Sequence, residues 1–427
     1  MSIIPTLTIP YIKEKWRHAG FQKYFQNMGW AFAARVTSLF LSFFIGALVA
    51  RHLGPERYGI LNYALSFVTI FVFLSSFGID NILVRDLVKY KEENKDIIST
   101  AFILKTIGGI LVILISTASS YIINDSYITR LVFIYSLHLL FASLSVIDSY
   151  FQSIIKYKYT FIAQFTSVVI VSIFKLFLIY KQFGTGWFIL AIVFDTIFSS
   201  LILLIIFFKK GLYLKLKINK TLAKKMLLDS WPFILTGAFI LIYTKIDQIM
   251  IGKMLDTASL GIYVAGVKLA EVWYFIPTII CGVLFPSIVN AKMAEDILYK
   301  KRLKKLILLI FFISFSFALF EFIFAKYLTL FVFGKTYLAS TIILRIYVWS
   351  GIIISIITIL HQYLTIENKT RLILISSLFG AITNIILNLV FIPLFGITGA
   401  AWATIISYMT IPLIIYSNLI WKRLKTV

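Results

Sequence analysis

The sequence has little of the charge that a water-soluble protein needs. Charged residues make up 14% of the 427 residues, whereas a typical soluble domain has about 25%. Hydrophobic residues make up 60%, and the mean hydropathy is +0.95. Apolar runs of roughly 20 residues, long enough to span about 30 Å of hydrocarbon, recur from Trp30 to Trp421. A water-soluble fold is therefore excluded, and the chain is predicted to lie almost entirely in a membrane.

Cysteine and histidine are also scarce. The single cysteine, Cys281, can form no internal disulfide, and the four histidines lack metal-ligand spacing. We therefore predict no metal, no redox chemistry and no cofactor beyond a coupling ion. The segment from Met1 to Gln26 has no apolar stretch followed by a small-residue cleavage site, so we expect the first helix to direct insertion.

Signatures of enzymes are missing too. Gly334-Lys335-Thr336 looks like the end of a phosphate-binding loop, but Thr329 stands where that motif requires glycine. No serine nucleophile elbow is present, and Glu92 with Glu93 lies in a Lys-rich loop, which is typical of solvated charge. The outer loops are about a dozen residues or shorter, too short to carry catalysis. The sequence predicts that the protein is not an enzyme.

What the sequence contains is a regular series of apolar spans, about twelve in number. They are predicted at residues 27–50, 60–83, 97–122, 131–154, 159–180, 185–208, 229–252, 260–286, 305–325, 336–361, 371–393 and 397–421. Basic residues concentrate in alternate connecting segments, which marks those segments as cytoplasmic. This placement predicts an all-α membrane protein with both termini in the cytoplasm. It also explains the net charge of +23 by topology and anionic lipid rather than nucleic acid.

The longest polar interruption, residues 209–228, divides the spans into two sets of six. We predict an N-terminal bundle (1–208), a cytoplasmic linker (209–228) and a C-terminal bundle (229–427). Shifting the sequence so that Gly59 falls on Gly261 also aligns Arg51 with Lys253. This weak internal symmetry predicts parallel repeats that enclose a substrate, an arrangement typical of transporters. The stretch 215–228 fits either an amphipathic helix on the membrane surface or a solvated loop.

Ionisable side chains inside the spans need an explanation, because a charge at the centre of a membrane helix costs at least about 2.5–3.5 kcal/mol. They are Arg35, Asp80, Lys105, Asp148, Lys175, Asp195, Lys245, Asp247, Lys268, Glu271, Glu321 and Arg345. Asp80, Lys105 and Asp148 lie near helix ends, where headgroups are within reach, and Lys268 with Glu271 has the spacing of an ion pair.

Arg35 and Lys245 stand out, because neither has an opposite charge one turn away on its own helix. Both need a partner elsewhere or a water-filled cavity. His138, Ser145, Asp148 and Gln152 form a polar stripe on the fourth span, which lines such a cavity or joins helices by hydrogen bonds. The deeper charges lean towards the basic, and guanidinium and ammonium groups pair well with phosphates. An anionic substrate such as a lipid pyrophosphate is therefore favoured.

Several motifs together resemble the Wzx-type polysaccharide flippases of the multidrug/oligosaccharidyl-lipid/polysaccharide (MOP) exporter superfamily. They are ARHLGPERYG at 50–59, LNYA at 61–64, KIDQIMIG at 245–252, LGIY at 260–263, KL at 268–269, FGKTY at 333–337, ILRI at 343–346 and IPLFGITGAA at 392–401. The similarity extends through nearly the whole chain. It implies a MATE/MOP-like fold of two six-helix bundles that work by alternating access.

The resemblance further implies a bacterial inner-membrane protein that moves undecaprenyl-pyrophosphate-linked oligosaccharide repeat units to the periplasmic leaflet. The product would be an O-antigen, as in lipopolysaccharide, a capsule or an exopolysaccharide, and pathway partners would be a polymerase and a chain-length regulator. A gradient of H⁺ or Na⁺ would drive the exchange. An ion-coupled multidrug exporter of the same superfamily is the nearest alternative, and a membrane enzyme of polysaccharide polymerisation is a more distant one.

The resemblance also assigns candidate roles to the intramembrane charges. A cationic lumen is common in the family, and by position in matching helices it falls here on Arg35, Lys245 and Lys268, with Lys175 and Arg345 as further candidates for the lipid pyrophosphate. The family often has arginine where Lys245 stands, and lysine does not make the same bidentate phosphate contact. Charge balance or ion coupling is expected of Asp247, Glu271, Asp148 and Asp195.

Overall fold

The protein is almost entirely helical in a computed structural model. The structure describes the backbone of residues 19–424 except 215–216, 295 and 368, and side chains from 36 to 418 except those and 286, 294 and 296. Within these residues the helices are α1 (Ala19–Thr69), α2 (Val72–Ser75), α3 (Asp80–Lys89), α4 (Asn94–Ile123), α5 (Ser126–Ser136), α6 (His138–Ala142), α7 (Ser145–Ser153), α8 (Tyr157–Tyr180), α9 (Thr185–Lys209), α10 (Lys220–Met254), α11 (Thr257–Glu271), α12 (Phe275–Ala294), α13 (Asp296–Val332), α14 (Ser340–Tyr347), α15 (Ser350–Ile366) and α16 (Thr370–Leu424). Two short 3₁₀ helices, Lys91–Glu93 and Lys335–Tyr337, connect some of them.

Ten helical segments of the described chain are long and apolar enough to cross a membrane. Two of them, Val36–Thr69 and Thr370–Asn418, bend sharply at a glycine, and each covers parts of two predicted spans. Gly54 has φ 72° and Gly396 has φ 61°, in the left-handed region that glycine adopts without steric cost. Pro55 and Pro393 lie next to these bends and remove backbone N–H donors. All the predicted spans therefore correspond to helical segments.

Several predicted spans are interrupted, which the hydrophobic pattern did not indicate. The span 60–83 contains the end of α1, the short α2 and the start of α3, with positive φ at Phe77 and Gly78. The span 131–154 divides into α5, α6 and α7, and the span 260–286 breaks between α11 and α12. Helix α10 begins at Lys220 rather than 229, so residues 220–228 continue into a membrane span. Residues 215–216 of the predicted linker lie outside the described part.

The largest buried apolar cluster joins the two halves of the chain. It includes Tyr58 and Phe67 of α1 together with Val264 of α11 and Tyr337. A second cluster lies mostly in the first half, between α3, α4, α7 and α9, and two smaller clusters lie in the second half. The centre of the packing is therefore the boundary between the halves, where α1 contacts both α10 and α11.

The halves approach most closely at two glycines. A Cβ atom added to Gly59 would lie 1.7 Å from the carbonyl oxygen of Thr257, and one added to Gly261 would lie 1.9 Å from that of Pro55. The contact is reciprocal, since Pro55 precedes Gly59 by the same spacing by which Thr257 precedes Gly261. Small residues allow such backbone contact between membrane helices. We refer to this end of the molecule as the closed end.

Two basic side chains join the halves near the closed end. The guanidinium of Arg51 donates through Nε to the carbonyl oxygen of Val332, at 2.9 Å, and through Nη2 to that of Phe331, both at the end of α13. Lys253, which aligns with Arg51 in the repeat, donates through Nζ to the carbonyl oxygen of Ile123, at 2.8 Å, at the end of α4. Free carbonyls at a helix C-terminus attract cations. These two rim contacts cross between the halves in opposite directions.

Candidate functional site

A cavity of about 670 Å³ lies between the two halves of the protein. The first half contributes α1, including Ser42, Gly46 and Tyr58. The second half contributes most of the remaining wall, with charged side chains at Lys245, Lys268 and Glu271. This cavity brings together three of the charges that the sequence singled out. Because both halves line it, a rocking motion of one half against the other would change its access.

Lys268 links the wall of the second half to the first half. Its ammonium donates to the hydroxyl of Tyr58 at 2.9 Å and to Oδ1 of Asn62 at 3.0 Å. The same ammonium lies 5.0 Å from the centroid of the Tyr58 ring, which favours a cation by its quadrupole. No ion pair with Glu271 is found among the described side chains, although the spacing suggested one. The positive charge of Lys268 therefore remains available to an anion in the cavity.

Lys245 lines the cavity from α10 and is partly exposed to it. Its ammonium forms no hydrogen bond or ion pair with any described residue. Asp247, two residues later, is 1% exposed and lies within the electrostatic range of Lys245 and Glu271. A partly exposed ammonium in a membrane interior needs water or an anionic ligand. Lys245 therefore contributes an unpaired positive charge to the cavity wall.

The carboxylate of Asp247 points away from the cavity into the second half. It accepts a hydrogen bond from the Tyr263 hydroxyl at 2.5 Å and one from the Thr404 hydroxyl at 3.4 Å. Two further polar side chains, Asn384 and Asn388, lie in the same buried region of α16 and bond to each other. The second half thus has a polar interior in which Asp247 has hydroxyl partners rather than a paired cation.

Glu271 connects that polar interior with the cavity. Its Oε1 accepts a hydrogen bond from the Tyr347 hydroxyl at 3.3 Å, and Tyr347 lies 3.4 Å from the hydroxyl of Tyr408, which also lines the cavity. Glu271 is the last residue of α11, just before the break that precedes α12. A carboxylate at a helix end on the cavity wall can respond to the charge of whatever the cavity contains.

Lys175 and Asp195 lie in the first half, on α8 and α9. The Ser167 hydroxyl donates to Asp195 at its carboxylate, at 2.6 Å, and to its backbone carbonyl, at 2.7 Å. Lys175 is within electrostatic range of both Asp195 and Lys268. The structure therefore places Lys175 within electrostatic range of Lys268 but not among the residues that line the central cavity, with Asp195 as its partly compensating charge.

Asp148 lies elsewhere, in a separate cavity of about 310 Å³ within the first half. Its carboxylate accepts hydrogen bonds from Thr160 at 2.5 Å and from Gln152 at 3.1 Å. Nearby, Lys105 forms an ion pair with Asp80 at 2.6 Å. The polar stripe of the fourth span thus lines a cavity and joins helices at the same time. The pairing of Lys105 and Asp80 replaces the expected contact of both groups with headgroups.

Arg345 corrects one expectation from the sequence. Its side chain is exposed on α14, where the guanidinium carbon lies 5.9 Å from the centroid of the Phe322 ring, and it does not line the central cavity. Arg345 lies on the opposite face of α14 from the buried side chains, which are Ser340, Ile343, Leu344 and Tyr347. The side chain of Arg35 lies outside the described side chains, so its role stays a prediction.

Sequence reasoning missed the neutral side chains that hold the charges. Tyr58 and Asn62 contact Lys268 from more than 200 residues away, and Tyr347 bonds to Glu271. The only available signal was that Tyr58 and Asn62 lie in a motif beside Gly59. No three His, Cys, Asp or Glu side chains of the described chain group as ligands for a metal ion.

Comparison with known proteins places this architecture. A family model described as "Polysaccharide biosynthesis protein" matches residues 24–292, which is more than half of the chain. A structure of the lipid II flippase MurJ in an inward closed conformation has a TM-score of 0.70 at 17% identity, covering 90% of this chain and 86% of that one.

Two MATE structures have the same fold. An inward-facing MATE family transporter of the MOP superfamily has a TM-score of 0.68 at 14% identity, covering 91% of this chain and 94% of that one. A MATE structure in complex with MaD3S has a TM-score of 0.66 at 12% identity, covering 94% and 95%. Among curated protein sequences no match is found. At these identities the structural likeness establishes the fold, and the chain has the MATE/MOP architecture that the resemblance implied.

Proposed function

Since the chain belongs to the polysaccharide biosynthesis protein family and has the fold of the MOP transporters, we propose that it is a flippase for undecaprenyl-pyrophosphate-linked oligosaccharide repeat units. It moves them from the cytoplasmic to the periplasmic leaflet of a bacterial inner membrane. The polymer is an O-antigen, a capsule or an exopolysaccharide, and the partners are a polymerase and a chain-length regulator.

The observation that carries this proposal is the unpaired positive charge in the central cavity. Among the described residues Lys245 has no partner there, and Lys268 has only neutral ones. A pyrophosphate brings two phosphate groups, each able to accept charge-assisted hydrogen bonds from an ammonium. Lys175 adds a third positive charge nearby. A structure of the same fold belongs to a flippase for lipid II, which supports a lipid substrate.

The proposed cycle is alternating access between the N-terminal bundle (1–208) and the C-terminal bundle (229–427). In our assignment the closed end faces the periplasm and both termini face the cytoplasm. The pyrophosphate binds Lys245 and Lys268 while the oligosaccharide occupies the space between the bundles. Separation of the reciprocal glycine contact then opens the cavity to the periplasm. Binding of H⁺ or Na⁺ by Asp247 or Glu271 drives the return.

A multidrug exporter is the second candidate, because Glu271 gives the cavity wall one negative charge that an organic cation could bind. The two functions separate in one experiment. In a clean deletion without a paralogue, we expect lipid-linked repeat units to accumulate in the cytoplasmic leaflet and the surface polymer to disappear. Susceptibility to cationic drugs should change little. Unaltered surface polymer with increased drug susceptibility would reverse the choice.

A further inference from the structure

Glu321 is an acidic side chain at the middle of a membrane helix. It lies on α13 in a buried stripe with Ser314, Ala318, Ala325 and Thr329, all spaced three or four residues apart. The side chains of this stripe are 5% exposed or less. Helical spacing of this kind places Glu321 against neighbouring helices rather than against lipid. A carboxyl group in such a place requires an explanation beyond solubility.

No cation compensates Glu321 in the described part of the structure. Its Oε2 atom is buried and accepts no hydrogen bond, and the indole N–H of Trp273 is buried and also unbonded. The indole lies beside the carboxyl group but without the geometry of a hydrogen bond, and its ring stacks on Phe317, with ring centroids 5.6 Å apart. A carboxylate at this depth costs at least about 2.5–3.5 kcal/mol, whereas the neutral acid avoids most of that cost.

Trp273 lies beside this carboxyl group and belongs to the break between α11 and α12, which we call the α11–α12 joint. It is 2% exposed. Gly351 of α15 makes room for it, since a Cβ atom there would lie 2.3 Å from the indole Cζ2. Glu271, just before the break, and Tyr274, within it, line the central cavity. Any change in the angle between α11 and α12 would therefore move the indole relative to Glu321.

Other titratable groups lie on every element packed against α13. From α11 they include Tyr263, Lys268 and Glu271, from the α11–α12 break Tyr274, from α12 Cys281 and Lys292, from α14 Arg345 and Tyr347, from α15 His361, and at the C-terminal end of α13 Arg51 of α1 with Lys335 and Tyr337 of the second 3₁₀ helix. Tyr274 lies within electrostatic range of Glu321, and its hydroxyl bonds with Ser350 at 2.8 Å. Arg345 is exposed and lies over Phe322 instead.

We propose that Glu321 is a proton-binding site that sets the angle of the α11–α12 joint, an inference that rests on the proposed transport cycle. In the conformation described here the carboxyl group of Glu321 is a neutral acid, with its proton on one oxygen. Movement of Trp273 with α12 admits water, the proton leaves to that water, and the carboxylate then stabilises the hydrated arrangement. Proton binding thereby biases two conformations of the second half, because only one of them tolerates the charge.

Infrared difference spectroscopy on the purified full-length protein in lipid bilayers tests the site without transport. A pH step should change the carbonyl band of protonated carboxylic acids, and Glu321→Gln should remove one component of that change. Asp80→Asn serves as the control, because Asp80 is paired with Lys105 in the first half and has no part in the proposed cycle, and this variant should retain the change. Trp273→Phe should shift the band, because the group beside the acid is lost. An unchanged pH-dependent band in Glu321→Gln would overturn the proposal.

Transport in proteoliposomes tests the coupling, with undecaprenyl-pyrophosphate-linked oligosaccharide as the probe. A proton gradient of one pH unit should accelerate wild-type translocation up to about tenfold, since one titrating group responds tenfold per pH unit. In Glu321→Gln the ratio of rates with and without the gradient should fall below the wild-type ratio, and any acceleration that remains belongs to Asp247 or Glu271. An unchanged ratio would remove Glu321 and leave the flippase assignment intact. If the wild type moves no oligosaccharide, the flippase assignment fails and the spectroscopy alone decides on the site.

Discussion

The two halves of this protein are alike at the closed end and unlike inside. At the closed end each half offers a glycine to the backbone of the other and a basic residue to a helix end of the other. Inside, the first half neutralises its buried lysine with a carboxylate, as Lys105 and Asp80 show. In the second half Asp247 and Glu271 have hydroxyl partners, and Glu321 has no hydrogen-bond partner in the part of the chain that the structure describes. Symmetry is kept where the halves must meet, whereas the buried carboxyl group without a described hydrogen-bond partner, Glu321, belongs to the second half alone.

The largest effect should come from removing the positive charge of the cavity. Lys268→Ala loses charged contacts worth about 1.5–3 kcal/mol, so export should fall roughly 10- to 150-fold, and Lys245→Ala/Lys268→Ala should abolish it. Lysine-to-alanine changes on a cavity wall should leave the amount of protein in the membrane unchanged. Surface polymer and protein amount are the measurements.

Arg345→Ala is the matched control for this pair, because it removes a basic side chain of the same half that the structure places outside the cavity. We expect it to export normally. Loss of export in Arg345→Ala, or normal export in the double lysine variant with normal expression, would contradict the site as described.

The next largest effect should follow from adding one methyl group at the closed end. In Gly59→Ala the Cβ atom meets the Thr257 carbonyl at 1.7 Å, and in Gly261→Ala it meets that of Pro55 at 1.9 Å. Overpacking costs about 1–3 kcal/mol, so either variant should shift the equilibrium towards opening by roughly 5- to 150-fold. The reagent is an impermeant thiol label applied from the periplasmic side to Ser66→Cys in a Cys281→Ser background.

Ser66 suits this measurement because it is buried and bonds across the halves to Gln248 at 2.6 Å. Gly186→Ala is the control, since its added Cβ atom meets only the Leu131 side chain, at an ordinary 3.7 Å. We expect Gly59→Ala and Gly261→Ala to increase the labelling of Ser66→Cys to the same extent. Faster labelling with one glycine variant and none with the other would break the proposed equivalence.

A smaller effect, on the free energy of unfolding, should distinguish the polar interior of the first half from that of the second half. In the native protein the Lys105 ammonium donates to Oδ1 of Asp80 at 2.6 Å and to the Ser145 hydroxyl at 2.5 Å. Lys105→Met removes both hydrogen bonds. Because Asp80 is half exposed, we expect a loss of about 1–2 kcal/mol in the free energy of unfolding. Adding Asp80→Asn should restore part of it. Asp247→Asn should instead keep the melting temperature and change the dependence of export on H⁺ or Na⁺.

The thermal melting temperature of purified variants and export under imposed gradients are the two measurements for this contrast. If Asp247→Asn lowered the melting temperature as much as Lys105→Met and export kept its ion dependence, the two interiors would have the same structural role.

The smallest effect should come from the rim contacts. Arg51→Met removes two hydrogen bonds and Lys253→Met one, each worth about 0.5–1.5 kcal/mol. Labelling at Ser66→Cys should therefore rise about 2- to 10-fold in Lys253→Met and more in Arg51→Met. The exposed basic residue Arg130, which bonds only within its own helix, provides the control variant Arg130→Met. Equal labelling in Arg51→Met, Lys253→Met and Arg130→Met would show that the rim contacts do not stabilise the closed end.

Much of the fold could be predicted from the sequence, because membrane helices must satisfy their backbone internally and so follow the apolar runs. The alignment of Gly59 with Gly261 also indicated where the halves correspond, and these glycines meet in the structure. The interruptions within spans were not predictable, since the residues around Phe77 are as apolar as the helices they separate. Tertiary contacts, not composition, decide where such helices break.

The cavity charges were only partly predictable, for a related reason. Both lipid and protein interior are apolar, so periodicity does not tell which face of a span meets which environment. Lys245 and Lys268 lie in the cavity, whereas Arg345 points outward, although all three are basic residues within apolar runs. The partners of Lys268 come from the other half of the chain, and nothing local to Lys268 indicates them.

The reciprocal glycine contact makes the residue that one half can accept depend on the backbone of the other half. Each glycine is required not by its own neighbours but by a carbonyl of the other repeat, at Thr257 or Pro55. A larger residue accepted at one position needs a compensating shift in a segment some 200 residues away in the sequence. A substitution at either glycine is therefore a change at a surface that both halves share, however different their interiors are.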